Sequence, residues 1–228
     1  MPAQLALFSD ERKPEGLRYQ PDFITMEEEQ GLISHIIGLP LSPFQFGAFE
    51  GKRRVASFGW RYNYTSHALE KAGDLPAWIA PFNDRVESFA GLPSSSIEQL
   101  LVTEYEAGAG IGWHRDKPHF GKVFGLSLGS SCKFRFRRKL PQGWERFAFE
   151  AQPRSLYMMA GQSRSVWEHS IPPSSRCDTR SPFAPWPRRL LDLFDLPADF
   201  AIGEFRGVNV DVPFAGLEIS ELLIGQLG

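Results

Sequence analysis

The chain has 228 residues, of which 42% are hydrophobic and 23% are charged, a balance typical of one soluble globular domain with a full-sized core. Its formal net charge of −2 gives no overall basic field, so binding to nucleic acid would require a local patch of cations. Cys132 and Cys177 are too few for a disulfide framework, and they fit a reducing, cytoplasmic compartment. We expect no secretory signal and no membrane span, because the chain has no long apolar run of about 18 residues.

Two helices are predicted in the first part of the chain. The first follows a capping box formed by Thr25 and Glu28, and Gly38 ends it. The second begins near Asp74 and ends at Gly91. Both carry apolar residues at helical spacing, so each is expected to bury one face.

After residue 93 the pattern changes to short strands that are separated by clusters of Gly, Pro and Ser. The candidate strands cover residues 97–105, 123–128, 132–138, 146–150 and 155–160. Helices followed by a run of antiparallel strands predict an α+β fold. We expect a double-stranded β-helix, or jelly-roll, core with the N-terminal helices packed on one sheet.

These patterns divide the chain into three parts. Residues 1–92 form an N-terminal extension that contains the helices, and residues 93–173 form the strand-rich core. Residues 174–228 form an atypical tail, which begins with a stretch rich in Pro and Arg and continues with apolar residues that follow no helix or strand period.

The most informative motif is the pair His114 and Asp116. Ligands two residues apart at the end of an extended strand point to the same side. His169, which follows several strands, would complete a 2-His-1-carboxylate triad, the set that holds non-haem Fe(II) and leaves coordination positions open. Hydrolytic metal ions also bind histidine and carboxylate, so these residues alone leave the metal open.

Ordinary structural interpretations compete with this one. The glycines at 108, 110 and 112 permit a close approach of the backbone, but they are also typical of a hairpin turn. A lone histidine such as His169 is commonly a hydrogen-bonded core residue. The flanking motifs decide between these interpretations.

In order, those motifs are Tyr105-x-x-Gly-x-x-Ile-Gly-Trp-His-x-Asp, Leu-Ser-Leu-Gly, Phe-x-Phe and Trp-x-His-x-Ile-Pro. Together they resemble AlkB-type Fe(II)/2-oxoglutarate-dependent dioxygenases over residues 97–173. The resemblance implies that His114, Asp116 and His169 bind Fe(II), that 2-oxoglutarate is the cosubstrate, and that alkylated DNA or RNA is the substrate. Trp60-Arg-Tyr62 resembles the nucleotide-recognition strand and lid of that family.

The same resemblance suggests cosubstrate contacts. Tyr105 matches a tyrosine that hydrogen-bonds 2-oxoglutarate in the family. Thr103 stands where better-known members carry asparagine, and threonine is a shorter donor. Lys117 follows Asp116 where some members place an acidic substrate contact, so base preference is not carried over.

The tail departs from the family pattern. Members continue after the second histidine with an RYSxTFR-like segment whose arginines hold the 2-oxoglutarate carboxylates. Here Arg176 and Arg180 are only four residues apart, and no Thr-Phe-Arg follows. Arg180 is the residue we assign as a substitute carboxylate contact. Because proline removes donors from a ladder, we expect the sheet to lack this strand or to pair it poorly.

A shift of reading frame explains this departure. One permitted set of codons for Ser175 through Trp186, read from the third base of the first codon, encodes ALRYSITFRTM. This is the missing family segment at its expected place. We infer that the frame changes near Ser174 or Ser175, and that the residues beyond are out-of-frame sequence.

One predicted strand is strongly basic. Lys133, Arg135 and Arg137 alternate with Phe134 and Phe136, which places the cations on one face and the rings on the other. Like charges along one face repel unless an anion meets them, and a phosphate backbone would be such an anion near the mouth of the metal site. The alternative is a solvated face over a phenylalanine core.

Aromatic residues alternate in the same way at Trp60, Tyr62 and Tyr64. Their rings could stack on a base extruded from the helix, or they could pack across a hairpin.

The expected function is oxidative dealkylation of N-alkylated bases in DNA or RNA repair, carried out by a monomer that uses Fe(II), 2-oxoglutarate and O2. One alternative is a 2-oxoglutarate-dependent hydroxylase of a protein or small molecule. The other is an inactive nucleic-acid-binding remnant that lacks the arginine pair. Turnover of 2-oxoglutarate separates the enzymes from the remnant.

Overall fold

The computed structural model describes residues 13–46, 49–105, 109–173, 188–194 and 220–226. The strands in chain order are β1 Arg18–Gln20, β2 Ser42–Phe46, β3 Phe49–Asn63, β4 Ala68–Lys71, β5 Gln99–Tyr105, β6 Ile111–His114, β7 Lys122–Leu128, β8 Cys132–Lys139, β9 Trp144–Ala151, β10 Leu156–Met159, β11 Glu168–Ile171, β12 Arg188–Phe194 and β13 Ser220–Gln226. The helices are α1 Met26–Ile37, α2 Ala80–Ala90, preceded by a 3₁₀ turn, and the short α3 Gln162–Ser165.

The strands form two sheets. The larger has the order β1-β10-β7-β12-β13-β5-β3-β2, with β4 paired to β3, and the smaller has the order β6-β11-β8-β9. Each predicted core strand is present within one or two residues of its expected bounds. Together the sheets form a jelly-roll core, so the predicted double-stranded β-helix is confirmed.

Both predicted helices are also confirmed, and their ends follow from local chemistry. The Thr25 hydroxyl accepts from the backbone N–H of Glu28 at 3.1 Å, and the Glu28 carboxylate accepts from the backbone N–H of Thr25 at 2.8 Å. Gly91 ends α2 in the left-handed conformation, with φ of 66°. No helix in the described ranges is long and apolar enough to cross a membrane.

The large sheet separates two apolar layers. Side chains such as Leu100 and Val102 face the helices and pack with Ile36 of α1 and Val86 of α2. On the opposite face, Tyr105 belongs to a second layer between the two sheets. Because side chains alternate along a strand, the odd-numbered residues of β5 and β7 point into the space between the sheets.

The N-terminal segment extends the core rather than standing beside it. β3 pairs antiparallel with β5, with Ala56 opposite Val102. The region that contains Trp60 and Tyr62 is therefore held in register with a central strand of the large sheet.

A buried carboxylate joins α1 to the strand-rich part of the chain. Glu29 is 7% exposed and accepts from the backbone N–H of Gly129 at 2.8 Å and from Arg154 at 3.1 Å. The backbone carbonyl of Arg154 in turn accepts from the N–H of Phe23 at 2.8 Å, just before the helix. This network fixes where α1 sits on the sheet.

The tail contributes two strands to one position of the large sheet. Both β12 and β13 lie between β7 and β5, and Leu191 and Leu222 both pair with Val102. Residues 174–187, where the family-like strand was expected, lie outside the described residues, as does Arg180.

We predict that Glu29→Ala lowers the free energy of unfolding by about 2 kcal/mol, because it removes a buried carboxylate and leaves Arg154 and an amide without their partner. Urea unfolding followed by circular dichroism measures this. The matched control is Glu27→Ala, in the same turn of α1 but exposed, which should cost less than about 1 kcal/mol. Equal losses in the two variants would contradict the role of the network.

Candidate metal centre

Two neighbouring strands bring the predicted ligands together. β6 and β11 pair antiparallel, and His114 lies directly opposite His169. Residues opposite each other in an antiparallel pair point to the same face. Asp116 follows His114 by two residues, just beyond the end of β6. The pairing of two short strands therefore assembles all three side chains.

The three side chains converge on one point. Oδ1 of Asp116 is 3.6 Å from Nε2 of His114 and 3.5 Å from Nε2 of His169. One ligand atom from each residue lies within 4.8 Å of the others. The predicted convergence is confirmed, and the spacing suits one ion with bonds of about 2.0–2.2 Å.

The glycines before the motif have a structural reason at one position. A Cβ added to Gly110 would lie 2.5 Å from the carbonyl oxygen of Ile171 and 2.8 Å from the nitrogen of Pro173. Only glycine allows the chain to pass this close to the end of β11. Gly112 has no such neighbour, so its space is open. The absence of a side chain at Gly110 therefore allows β6 to lie beside β11.

The protonation states suit a cation. Burial alone would raise the pKa of the Asp116 carboxyl, but His169, His114 and Arg164 together hold it well below its usual range. Burial lowers the pKa of His169, which favours the neutral imidazole. Nδ1 of His114 donates to the carbonyl of Gly112 at 2.9 Å, which leaves Nε2 as the lone-pair donor. An ionised carboxylate and two imidazole nitrogens fit Fe(II).

A buried arginine that the sequence analysis missed supports this centre. Arg164, on α3, is 8% exposed. Its guanidinium donates to Oδ2 of Asp116 at 3.3 Å and to the carbonyl of Lys117 at 2.8 Å. Oδ1 of the same carboxylate thus faces the histidines while Oδ2 is held by the protein. Arg164 lies 48 residues from Asp116, and no local pattern signals their contact.

The residues proposed for 2-oxoglutarate lie on β5. Thr103 and Tyr105 are both fully buried and share the face that points between the sheets. Tyr105 belongs to the same apolar cluster as Ile171 at the end of β11. Their placement suits the role implied by the resemblance, which remains a proposal.

Aromatic residues and cations gather beside Asp116. The rings of Tyr62 and Tyr64 meet edge to face at 5.1 Å, and the ammonium of Lys117 lies 5.0 Å and 5.6 Å from their centroids. His119 lies 5.4 Å from Tyr62. Burial, together with the charge of Asp116, raises the pKa of Tyr64 to about 12, so its phenol stays protonated. We call Tyr62, Tyr64, Lys117 and His119 the aromatic cluster.

Trp60 stands apart from the aromatic cluster. It points to the same side of β3 as Tyr62, but the cation over its ring is Lys71, at 5.6 Å. Of the three aromatic residues predicted to meet a base, the structure brings Tyr62 and Tyr64 to Lys117, the residue next to Asp116.

The basic strand needs a correction. β8 does lie beside the centre, since Phe136 is opposite His169, but Arg135 is opposite Ser170 and Arg137 opposite Glu168. The arginine side chains therefore point away from the metal ligands, to the outer face of the small sheet. The strand thus lies beside the site as predicted, but its phase turns the phenylalanines inward, which counts against a contact between Arg135 or Arg137 and a substrate at the centre.

The anion that the basic strand requires is supplied by the protein itself. Arg137 donates to Glu168 at 2.6 Å and lies between the rings of Trp113 and Trp144, at 4.4 Å and 4.3 Å. Arg135 donates to the hydroxyl of Ser170 at 3.1 Å. These contacts favour the interpretation as a solvated strand face over a phenylalanine core.

Comparisons with known proteins agree with this geometry. The sequence pattern of the 2OG-Fe(II) oxygenase superfamily matches residues 16–190. An alkylated DNA repair protein ALKBH8 homolog of Arabidopsis thaliana is 29% identical over 197 residues, which are 74% of this chain and 54% of the relative. The tRNA (carboxymethyluridine(34)-5-O)-methyltransferase ALKBH8 of Mus musculus is 30% identical over 169 residues, 72% of this chain and 25% of the relative.

The fold is shared with solved structures. The structure of OsALKBH1 superposes with a TM-score of 0.58 at 16% identity, covering 80% of this chain and 96% of that one. The chain spans about half the length of the Arabidopsis relative and a quarter of the mouse relative.

We predict that Asp116→Ala weakens metal binding by more than about 100-fold, since loss of residues that merely support a ligand already costs 10–100-fold. Calorimetric titration of the metal-free protein with Mn²⁺ measures the affinity, and circular dichroism checks that the fold remains. Arg115→Ala is the matched control, because Arg115 lies between the ligands but is exposed. An Asp116→Ala protein that binds Mn²⁺ like the wild type would refute the assignment.

Proposed function

The chain belongs to the 2OG-Fe(II) oxygenase superfamily, in its AlkB-type branch, and we propose that it oxidatively dealkylates N-alkylated bases of DNA or RNA. The family uses Fe(II) and 2-oxoglutarate, and the donor set of this chain fits them. The observation that carries the proposal is the convergence of His114, Asp116 and His169 beside the aromatic cluster. The proposed metal ligands and a surface that could stack on a base thus lie next to each other.

In this proposal, His114, Asp116 and His169 hold the metal, and Arg164 fixes the orientation of the carboxylate. When bound, Fe(II) with 2-oxoglutarate and O2 supplies the oxidising power that inserts oxygen into the N-alkyl C–H bond. Tyr105 donates to 2-oxoglutarate from β5. The chain's own contribution is to place the cosubstrate and the base and to exclude water from the reaction.

The base would be held by stacking. Enzymes that act on a base take it out of the helix and receive it between aromatic side chains. Tyr62 and Tyr64 offer such rings within reach of Asp116, and Trp60 extends the same face of β3. The names of the relatives support nucleic acid as the substrate class, since one refers to repair of alkylated DNA and the other to modification of tRNA.

We expect the purified chain with Fe(II) to consume 2-oxoglutarate and release formaldehyde when an N-methylated oligonucleotide is added, and His169→Ala to abolish both. Coupled formaldehyde detection and succinate quantification measure the two products. The unmethylated oligonucleotide is the control. Consumption that responds only to proteins or small molecules would replace this proposal with the hydroxylase, and absence of any turnover would identify the inactive remnant.

Lys117 is the cation that we propose contacts the nucleic acid backbone. Among the described residues no carboxylate forms an ion pair with it, and its ammonium lies over the rings of Tyr62 and Tyr64. The outer-face arginines differ, because the protein already provides their partners.

We predict that Lys117→Ala weakens oligonucleotide binding and lowers the slope of log affinity against log salt by about 0.7–0.9, the release expected for one phosphate contact. The triple substitution of Lys133, Arg135 and Arg137 by alanine should leave the slope unchanged. Fluorescence anisotropy at four salt concentrations measures both. If only the triple variant lowers the salt dependence of affinity, the nucleic acid binds at the outer face of the small sheet instead.

We also propose that the tail is out-of-frame sequence. The encoded RYSITFR segment at its expected place supports this. An in-frame strand at that position would carry the two arginines that grip the carboxylates of 2-oxoglutarate.

Replacing the residues after Pro173 by the in-frame segment should raise the affinity for 2-oxoglutarate by at least about tenfold, because a bidentate arginine adds charge-assisted hydrogen bonds. Calorimetry on the Mn²⁺-loaded proteins measures this. The control carries the same segment with both arginines changed to glutamine. The frame-shift proposal fails if the chain as written binds 2-oxoglutarate as tightly as the restored one.

A further inference from the structure

The short helix α3 carries Arg164 but has little to stabilise it from within. It has four residues, Gln162–Ser165, and Gly161 before it has no side chain to cap it. A single helical turn fixes several backbone dihedrals for few hydrogen bonds, so a helix this short needs support from other segments. Its Arg164 donates to Oδ2 of Asp116 and to the carbonyl of Lys117. The orientation of the Asp116 carboxylate therefore depends on what fixes α3.

The support comes from residues 14–17, near the start of the described chain, which we call the N-terminal strap. The backbone carbonyl of Glu15 accepts from the N–H of Ser163 at 2.8 Å, one of the amides that the first turn of a helix leaves without a partner inside the helix. The Glu15 carboxylate also accepts from the side-chain amide of Gln162. Both contacts are made to the first turn of α3.

Gly16 allows the strap to lie against the residues that lead into α3. Its φ is +86°, and a Cβ at this position would lie 2.6 Å from the carbonyl carbon of Ala160. A residue with a side chain could not take this place without moving the backbone. The carbonyl of Gly16 also accepts from the N–H of Ala160 at 3.1 Å. Leu17 is 4% exposed and belongs to the same apolar cluster as Trp167, two residues beyond α3.

We propose that the N-terminal strap positions the metal centre by acting through α3 and Arg164 on Asp116. Because Arg164 holds Oδ2, the carboxylate presents Oδ1 to the two histidines. Partners of a ligand that fix its orientation raise metal affinity without touching the metal. Loosening the strap therefore weakens metal binding although every ligand remains. The inference goes beyond the proposed function, since it concerns metal binding and holds whichever substrate is oxidised.

The first test is Gln162→Glu in the full chain, which places a second carboxylate beside Glu15 so that the two repel. We expect the Kd for Mn²⁺, measured by calorimetry, to rise about threefold, the size of one ordinary hydrogen bond. The visible absorption of bound Co²⁺, which responds to ligand geometry, should change as well. The swapped pair, Glu15→Gln with Gln162→Glu, restores the hydrogen bond with donor and acceptor exchanged and should rescue both properties.

The second test is Gly16→Ala, which forces the strap away from Ala160. We expect its Kd for Mn²⁺ to rise about tenfold, the lower end of the loss for a residue that supports a ligand. In an Arg164→Met background, Gly16→Ala should have little further effect, because Arg164 is the route by which the strap reaches Asp116. Residues that act independently would instead give additive losses.

The matched control is Tyr19→Phe. Tyr19 lies on β1, just after the strap, and its hydroxyl accepts from the backbone N–H of Gln152 at 3.1 Å, away from α3. This variant should lower the unfolding temperature and leave the Kd for Mn²⁺ and the Co²⁺ spectrum unchanged.

The outcomes separate a positioning role from a purely structural one. The inference is overturned if the strap variants lower the unfolding temperature but bind Mn²⁺ like the wild type, or if the losses of Gly16→Ala and Arg164→Met are additive. Should Gly16→Ala fail to fold, the swapped pair decides, and absence of rescue counts against the inference. A wild type that binds Mn²⁺ with the expected coupling but leaves methylated oligonucleotides unchanged would remove the proposed function and leave this inference standing.

Discussion

The register between β6, β11 and β8 is the constraint on which the candidate site depends. His114, His169 and Phe136 lie in one row across the small sheet, so all three face inward together. Because the side-chain period of a strand is two, a slip of one residue would turn His169 outward and bring Glu168 or Ser170 to the interior. The stacking of Phe134 on His169 and the Arg137–Glu168 ion pair on the outer face both oppose that slip. The outer-face cations therefore serve the metal centre indirectly, by holding the strand in the phase that the ligands need.

The two faces of the large sheet have different roles, because side chains alternate along each of its strands. One face of β5 and β7 is mainly apolar and packs on α1 and α2 through residues such as Leu100, Val102, Phe124 and Leu126. The other face carries hydroxyl groups into the space beside the metal centre. The helices can thus stabilise the sheet without contacting the candidate site on its other face.

Local signals made much of this structure predictable. The capping box at Thr25 and the glycine stop at Gly91 are formed by neighbours in sequence, and His114 and Asp116 need only one strand end to share a face. Features that depend on distant pairing were not predictable. Alternation showed that Arg135 and Arg137 share a face, but only their pairing with β11 shows that it is the outer one. Arg164 resembles an ordinary surface arginine in the sequence until its distant partner Asp116 is known.

The two halves of the candidate site depend on different parts of the chain. All four strands of the small sheet, and all three proposed metal ligands, precede residue 174, so a change of frame beyond that point leaves the metal centre complete. The large sheet differs, since the position between β7 and β5 is occupied only by segments of the tail. That position borders the interior into which Thr103, Ser127 and Tyr157 point. Metal affinity therefore does not report whether the cosubstrate half is intact. A chain with an altered tail would keep its proposed metal site and lose one wall of the space proposed for 2-oxoglutarate, so binding of the metal and catalysis would depend on different parts of the chain.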